Sequence, residues 1–285
     1  MQTQEANILI QKQLDNLSSA LEAGKSENLT AFLHTMARFH HYSLGNVLLI
    51  MFQNPDATRV AGFNTWKSLG RYVKQGEKGI AILAPMLLKN HAAEEDAGGM
   101  NKEAAPSPTA SPQQERDDKY LSFRVVHVFD VSQTEGKDLP EFASVRGDPG
   151  DYAERLKSLV RQLSIELEYG QDLGGADGVS KNGTIVLRQG LAPAAEFSVL
   201  VHELAHELLH QGDNRNGKTR TVRETEAEAV AFVVAQAIGL DAGTAAADYI
   251  QLYRGDKVLL NQSLEDIRKT SGQILTALLG KERAS

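Results

Sequence analysis

The chain has 285 residues, no cysteine, and 37 acidic against 30 basic side chains, for a net charge of −7. That length accommodates one large or two ordinary domains, and the lack of thiols excludes disulfides and thiolate–zinc sites outright. The acidity is uneven: residues 1–89 carry 9 basic and 6 acidic side chains while residues 90–118 carry 2 and 7, so net charge does not argue against nucleic acid for the first segment.

In chain order, residues 4–23 read as an amphipathic helix with Ile8, Ile10, Leu14, Leu17 and Leu21 as its apolar stripe. The opening MQTQEANILIQKQLDNL has neither the basic nor the apolar region of a secretion signal. The longest apolar run, Val47 to Phe52, is far too short to span a bilayer. A cytoplasmic protein with no membrane partner is therefore expected. A second helix is predicted over 29–39, and Ser43 caps a third that runs through Asn46 to Gln53. Asn54-Pro55-Asp56 ends it, and weaker helical signal follows over 64–69. Gln75 to Gly79 is a turn leading into the strand Ile80 to Met86. Residues 90–118, with AAPSPTASPQQ at their centre, cannot build a core and are expected to be disordered. Tyr120 to Val131 is the strand on the far side, so the two strands make a hairpin with an overgrown loop.

Between Arg59 and Lys78 the cations Arg59, Lys67, Arg71, Lys74 and Lys78 face one acid, Glu77, and are interleaved with Phe63, Trp66 and Tyr72. Cations that track phosphates and aromatic faces that stack bases are what single-strand binding requires. The same pattern also fits a core with a solvated charged face.

A linker over 136–150 separates this region from a second one, which opens with a helix predicted over 152–167. Lys181-Asn182-Gly183 is a tight-turn signal. The strand Thr184 to Leu187 follows, and its edge could hold an extended peptide. A helix from Pro193 to His210 then carries His202-Glu203-Leu204-Ala205-His206. Residues four apart share a helix face, so His202 and His206 can reach one ion. Glu203, about 100° further round, stands where a general base is needed. Phe197, Leu200, Val201, Leu204 and Leu208 form a core stripe that leaves the histidines facing away, and Gln211-Gly212 offers a stop. Catalytic zinc normally takes a third protein ligand. Glu224, on the next helix, is the candidate. Glu228 shares its face and could orient a ligand histidine, while Glu226 points elsewhere. Either acid could exchange roles with Glu224. His210 is a further contender, or a helix-end cation. Helices over 245–253 and 264–279 close the chain.

His41 to Asn46, Ala57 to Trp66, Gly76 to Pro85 and Phe123 to Thr134 together resemble the N-terminal domain of ArdC-type antirestriction proteins. The segments HELAHELLH and ETEAEAVAF resemble a zincin-like, ImmA/IrrE-type metallopeptidase domain. The resemblance covers nearly the whole chain outside 90–118. It implies an α+β protein: residues 1–135 form a helical domain with a small sheet that binds single-stranded DNA, and residues 151–285 form a zinc metallopeptidase domain. It also implies plasmid-linked protection of incoming DNA from restriction. The candidate DNA-contacting residues are then Tyr42, Asn46, Arg59, Trp66, Lys67, Arg71, Lys74 and Lys78. Expected metal ligands are His202, His206 and Glu224 around Zn2+, with Glu203 as base and a protein as substrate. Two rival functions follow from the same residues: a DNA-occupying protector with an inactive or structural metal domain, and a peptidase that cleaves a regulator.

Overall fold

The computed structural model describes residues 1–87, 120–138, 147–211, 218–240 and 256–280. The insertion expected over 90–118, most of the linker, Gly212 and the helix expected over 245–253 lie outside those residues.

Three helices, α1 (Thr3–Glu22), α2 (Glu27–Arg38) and α3 (Leu44–Gln53), open the chain. The start of α3 is fixed by Ser43, whose Oγ accepts from the Asn46 amide at 3.3 Å. Beside these helices lies an antiparallel sheet of β1 (Val60–Gly62), β3 (Ile80–Leu87) and β4 (Tyr120–Asp130), in the order β1-β4-β3. Side chains alternate across a strand: on β4, Val128 and Asp130 are buried while Phe123 and His127 are exposed. Among the described residues the outer edge of β3 has no strand neighbour. Two amides of α3 take that place, Asn46 bonding the backbone N–H and C=O of Leu83 (2.8 and 2.8 Å) and Gln53 those of Ala81 (2.9 and 2.9 Å). Capping an edge in this way hides pairing groups that would otherwise recruit another chain. A short helix α4 (Phe63–Ser68) leads to β2 (Arg71–Val73), which pairs with β5 (Thr134–Gly136). Buried Asp130 accepts from the amides of Thr58, Arg59 and Ser132 and so ties these segments together. Burial alone would raise its pKa, but the donors of Ser132, Thr58 and Arg59 outweigh that and lower it.

The second region begins with α5 (Asp151–Gln162). The helix predicted over 152–167 is thus too long. The chain turns at Ser164, which has φ 58°, and the alternating Glu166-Leu167-Glu168-Tyr169 enters β6 (Glu166–Gly170). Strands β7 (Gly178–Lys181) and β8 (Thr184–Arg188) form a hairpin around Asn182 and Gly183, both at positive φ (42° and 94°), as a two-residue turn of this kind requires. The sheet order is β6-β8-β7, with β6 parallel and β7 antiparallel to β8. The strand expected to offer a free edge, Thr184 to Leu187, is therefore the central one, and the edge belongs to β7. Among the described residues three further helices follow: α6 (Pro193–Leu209), α7 (Arg220–Ala237) and α8 (Lys257–Leu279). Helix α7 packs between α6, α8 and α2, with His34 edge-on to Phe232 at 4.8 Å. Buried side chains of both halves form one continuous cluster. No described helix is long and apolar enough to cross a membrane.

Candidate metal centre

Helix α6 buries Phe197, Leu200, Val201 and Leu204, which turns His202 and His206 towards α7. Their Nε2 atoms lie 3.1 Å apart. Thr219 caps α7, its Oγ1 accepting from Val222 N at 3.3 Å. The helix then presents Arg220, Arg223, Glu224, Glu228 and Ala231 to a cavity of about 750 Å3. These positions fall within one helical face. Glu224 Oε2 sits 3.6 Å from His202 Nε2 and 3.4 Å from His206 Nε2. The donor atoms of His202, His206 and Glu224 all lie within 4.8 Å of one another. Two imidazoles and a carboxylate suit a borderline-soft divalent ion, and the chain holds no thiol to compete.

The charges around this point are coupled. Burial would lower the pKa of His202, but the carboxylates of Glu224, Glu203 and Glu228 more than offset it, so the ring titrates above its usual value. Glu224 is held well below the ordinary carboxylate range by hydrogen bonding to His202 and His206. Glu203 moves the other way: burial raises it, Glu224 adds to that, and the two histidines only partly compensate. A carboxylate raised by burial is suited to accepting and returning a proton.

Several contributors are not apparent in the sequence. Gly178, on the β7 edge, faces Glu203: a Cβ there would lie 2.8 Å from Glu203 Cγ, 2.9 Å from Glu203 Oε1 and 2.6 Å from Val199 Cγ1. Glu207, buried on α6, accepts from Ser180 Oγ, from Gly183 N at 2.8 Å and from Gln211 Nε2 at 2.8 Å. It thereby holds the β7–β8 hairpin beside the histidines. Among the described residues, the Arg223 Nε and Ser198 Oγ atoms, both in the cavity wall, are buried without a hydrogen-bond partner.

Two expected roles are redistributed. Glu228 lines the cavity, but beyond Glu224 it is Glu226 that reaches a histidine, its Oε2 lying 2.8 Å from His210 Nε2. His210 is not a solvated helix-end cation. It is buried between His206 and Glu226, and burial lowers its pKa despite the Glu226 carboxylate.

Residues 6–130 match the family described as the N-terminal domain of anti-restriction factor ArdC, and residues 153–259 match the IrrE N-terminal-like domain, a peptidase family. The chain thus joins an ArdC-type antirestriction N-terminal domain to an IrrE-like domain. The crystal structure of the antirestriction ArdC protein from the R388 plasmid shares the fold. Its metal-free form superposes with a TM-score of 0.54 at 16% identity, covering 95% of this chain and 98% of that one. Its Mn(II)-bound form gives 0.52 at 15%, covering 96% and 99%. An uncharacterized protein of Bacillus anthracis is 27% identical over 255 residues, or 79% of this chain, which spans 42% of that protein's length.

Within the ArdC-like half, the expected DNA-contacting residues separate into two groups. Trp66 is 2% exposed and its indole N–H bonds Phe129 O at 2.8 Å, so its ring is core and offers no face to a base. Asn46 is buried in the amide pairing with β3. The Tyr42 hydroxyl turns to Val60 O at 3.5 Å, against the core. Arg71 bonds Thr134 Oγ1, Thr134 O and Lys137 O at 2.8, 3.0 and 2.6 Å, which locks β2 to β5. Arg59 is half-buried. Lys67, Lys74 and Lys78 are exposed, and beside them stand Phe63 and Tyr72, each 54% exposed.

Proposed function

We propose that this ArdC-type chain is a single-stranded-DNA-binding antirestriction protein whose second half is a zinc-dependent peptidase. The observation that carries the peptidase half is the meeting of three donor atoms, from His202, His206 and Glu224, within 4.8 Å. The base Glu203 lies on α6 with the two histidines and lines the same cavity. Those three residues would hold the ion, and Zn2+ suits a two-histidine, one-carboxylate set; Mn(II), found in the R388 protein, is the competing ion. When bound, such an ion supplies Lewis acidity that acidifies water and polarises a peptide carbonyl. Glu203 accepts the proton of the attacking water and delivers it to the departing amine.

The substrate would lie along β7. The β7–β8 register pairs Val179 with Val186 and Lys181 with Thr184 across the ladder, and Asp177 O accepts from Arg188 N. Antiparallel alternation therefore turns the backbone groups of Gly178 and Ser180 away from β8. Among the described residues the outer edge of β7 has no strand neighbour and lines the cavity; the Ser180 backbone bonds Glu203 there, and an extended peptide can add as a further strand through the remaining groups of that edge. Arg223 Nε, buried on the facing wall without a hydrogen-bond partner among the described residues, supports recognition of a carbonyl or carboxylate of that peptide.

On the DNA side, Lys67, Lys74 and Lys78 would contact phosphates while Phe63 and Tyr72 stack on bases. The measurement is affinity for an unstructured oligonucleotide against salt. Log affinity should fall with log salt by about 0.7 per phosphate contacted. Changing all three lysines to Gln should flatten the slope by up to about 2. An unchanged slope removes this surface from the interface. Arg71 is unsuitable for the test because its loss would also unlock β2 from β5.

A further inference from the structure

The metal-facing histidines continue into a buried chain of polar groups that ends on the last helix. His206 Nδ1 lies 2.9 Å from His210 Nδ1, and His210 Nε2 lies 2.8 Å from Glu226 Oε2. The other oxygen, Glu226 Oε1, accepts from Lys218 Nζ at 2.7 Å and from Ser263 Oγ at 2.5 Å. Lys218 also reaches Asp266 Oδ2 at 2.9 Å. Glu226 is 0% exposed, and the side chains of His210 and Lys218 are 3% and 11% exposed. Such buried charge persists only where it is fully paired, and each oxygen of Glu226 has a partner.

The polarity of this chain has one consistent solution. His206 Nε2 faces His202 and Glu224, so a ring that gives that lone pair to an ion carries its proton on Nδ1. Two ring nitrogens 2.9 Å apart bond only if one donates and the other accepts, so His210 Nδ1 must accept. Its proton is then on Nε2, pointing at a carboxylate that can only accept. Each assignment forces the next. Ligand histidines generally donate their second N–H to a carboxylate or carbonyl; here the donation passes through a second imidazole first.

Ser263 and Asp266 belong to α8, past residue 259, where the match to the IrrE-like domain stops. We propose that α8 completes the metal centre: Ser263 and Asp266 fix Glu226 and Lys218, and these act through His210 to set the tautomer and tilt of His206. All five are positioning residues. The inference rests on the assignment of His206 as a ligand.

The test is zinc affinity of the full chain, by competition with a chromogenic chelator, with folding checked by circular dichroism. Glu226→Gln and His210→Phe should weaken zinc binding about 10–100-fold, and Ser263→Ala and Asp266→Asn several-fold. A direct readout needs no variant: in the zinc-loaded wild type, nitrogen-15 imidazole spectra should show the His206 proton on Nδ1 and the His210 proton on Nε2. Folded variants that hold zinc as tightly as wild type, or a His206 bound through Nδ1, overturn this inference and leave the metal assignment standing. A wild type that holds neither zinc nor manganese overturns both.

Discussion

Glu203→Gln should lower peptide hydrolysis by at least ~100-fold, the usual range for loss of a general base, while zinc content and DNA affinity stay at wild-type levels. Gln fills the same space against Gly178 and Val199 but cannot take a proton. The three converging donor atoms do not include Glu203, so the ion has no reason to leave. The same change should raise the thermal stability of the metal-free chain. Burial disfavours the Glu203 carboxylate and raises its pKa, so the folded chain carries a cost at neutral pH that a neutral amide removes. Lower activity with higher stability is what a residue kept for chemistry should show. The assay is cleavage of an unfolded protein substrate by zinc-loaded wild type and variant, with a melting curve for each in the metal-free form. Equal cleavage rates would remove Glu203 as the base.

The second large effect is at Gly178. Its backbone is not among the positive-φ glycines, so an L side chain meets no conformational barrier there. What it meets is Glu203 and Val199, with three contacts below 3.0 Å. Gly178→Ala must therefore displace the Glu203 carboxylate or lift the β7 edge from α6. A shift of about 1 Å at a reacting group costs on the order of 100-fold. We expect kcat to fall about 10–100-fold with zinc affinity unchanged. Adding Glu203→Gln to Gly178→Ala should then lower the rate little beyond Glu203→Gln alone, because both act through one carboxylate. Fully additive losses would place the effect of Gly178 elsewhere.

What could be read from the sequence follows the range of the interactions involved. The core stripe of α6 and the cap at Ser43 are local, and both helices stand where the pattern puts them. The extension of α5 to Leu167 failed because an apolar alternation beginning at Ile165 fits a strand as well as a helix end, and only the turn at Ser164 separates them. Trp66 was ambiguous for a different reason: an aromatic between cations fits a stacking surface or a core, and the partner that decides it, Phe129 O, lies 63 residues away. The supports of the site are more remote still. Glu207 acts through a hairpin some two dozen residues upstream, and Ser263 reaches Glu226 across 37 residues. No spacing rule connects such residues, because the fold brings them together rather than a shared helix.

The most direct measurement is metal analysis of the purified chain by plasma emission, run beside His206→Ala and Glu224→Ala. Wild-type chain should carry close to one zinc or manganese, and both variants should lose most of it while staying folded and bound to single-stranded DNA. Wild-type protein that holds no divalent ion after exposure to zinc and manganese, or variants that retain it in full, would contradict the convergence of His202, His206 and Glu224 on one ion.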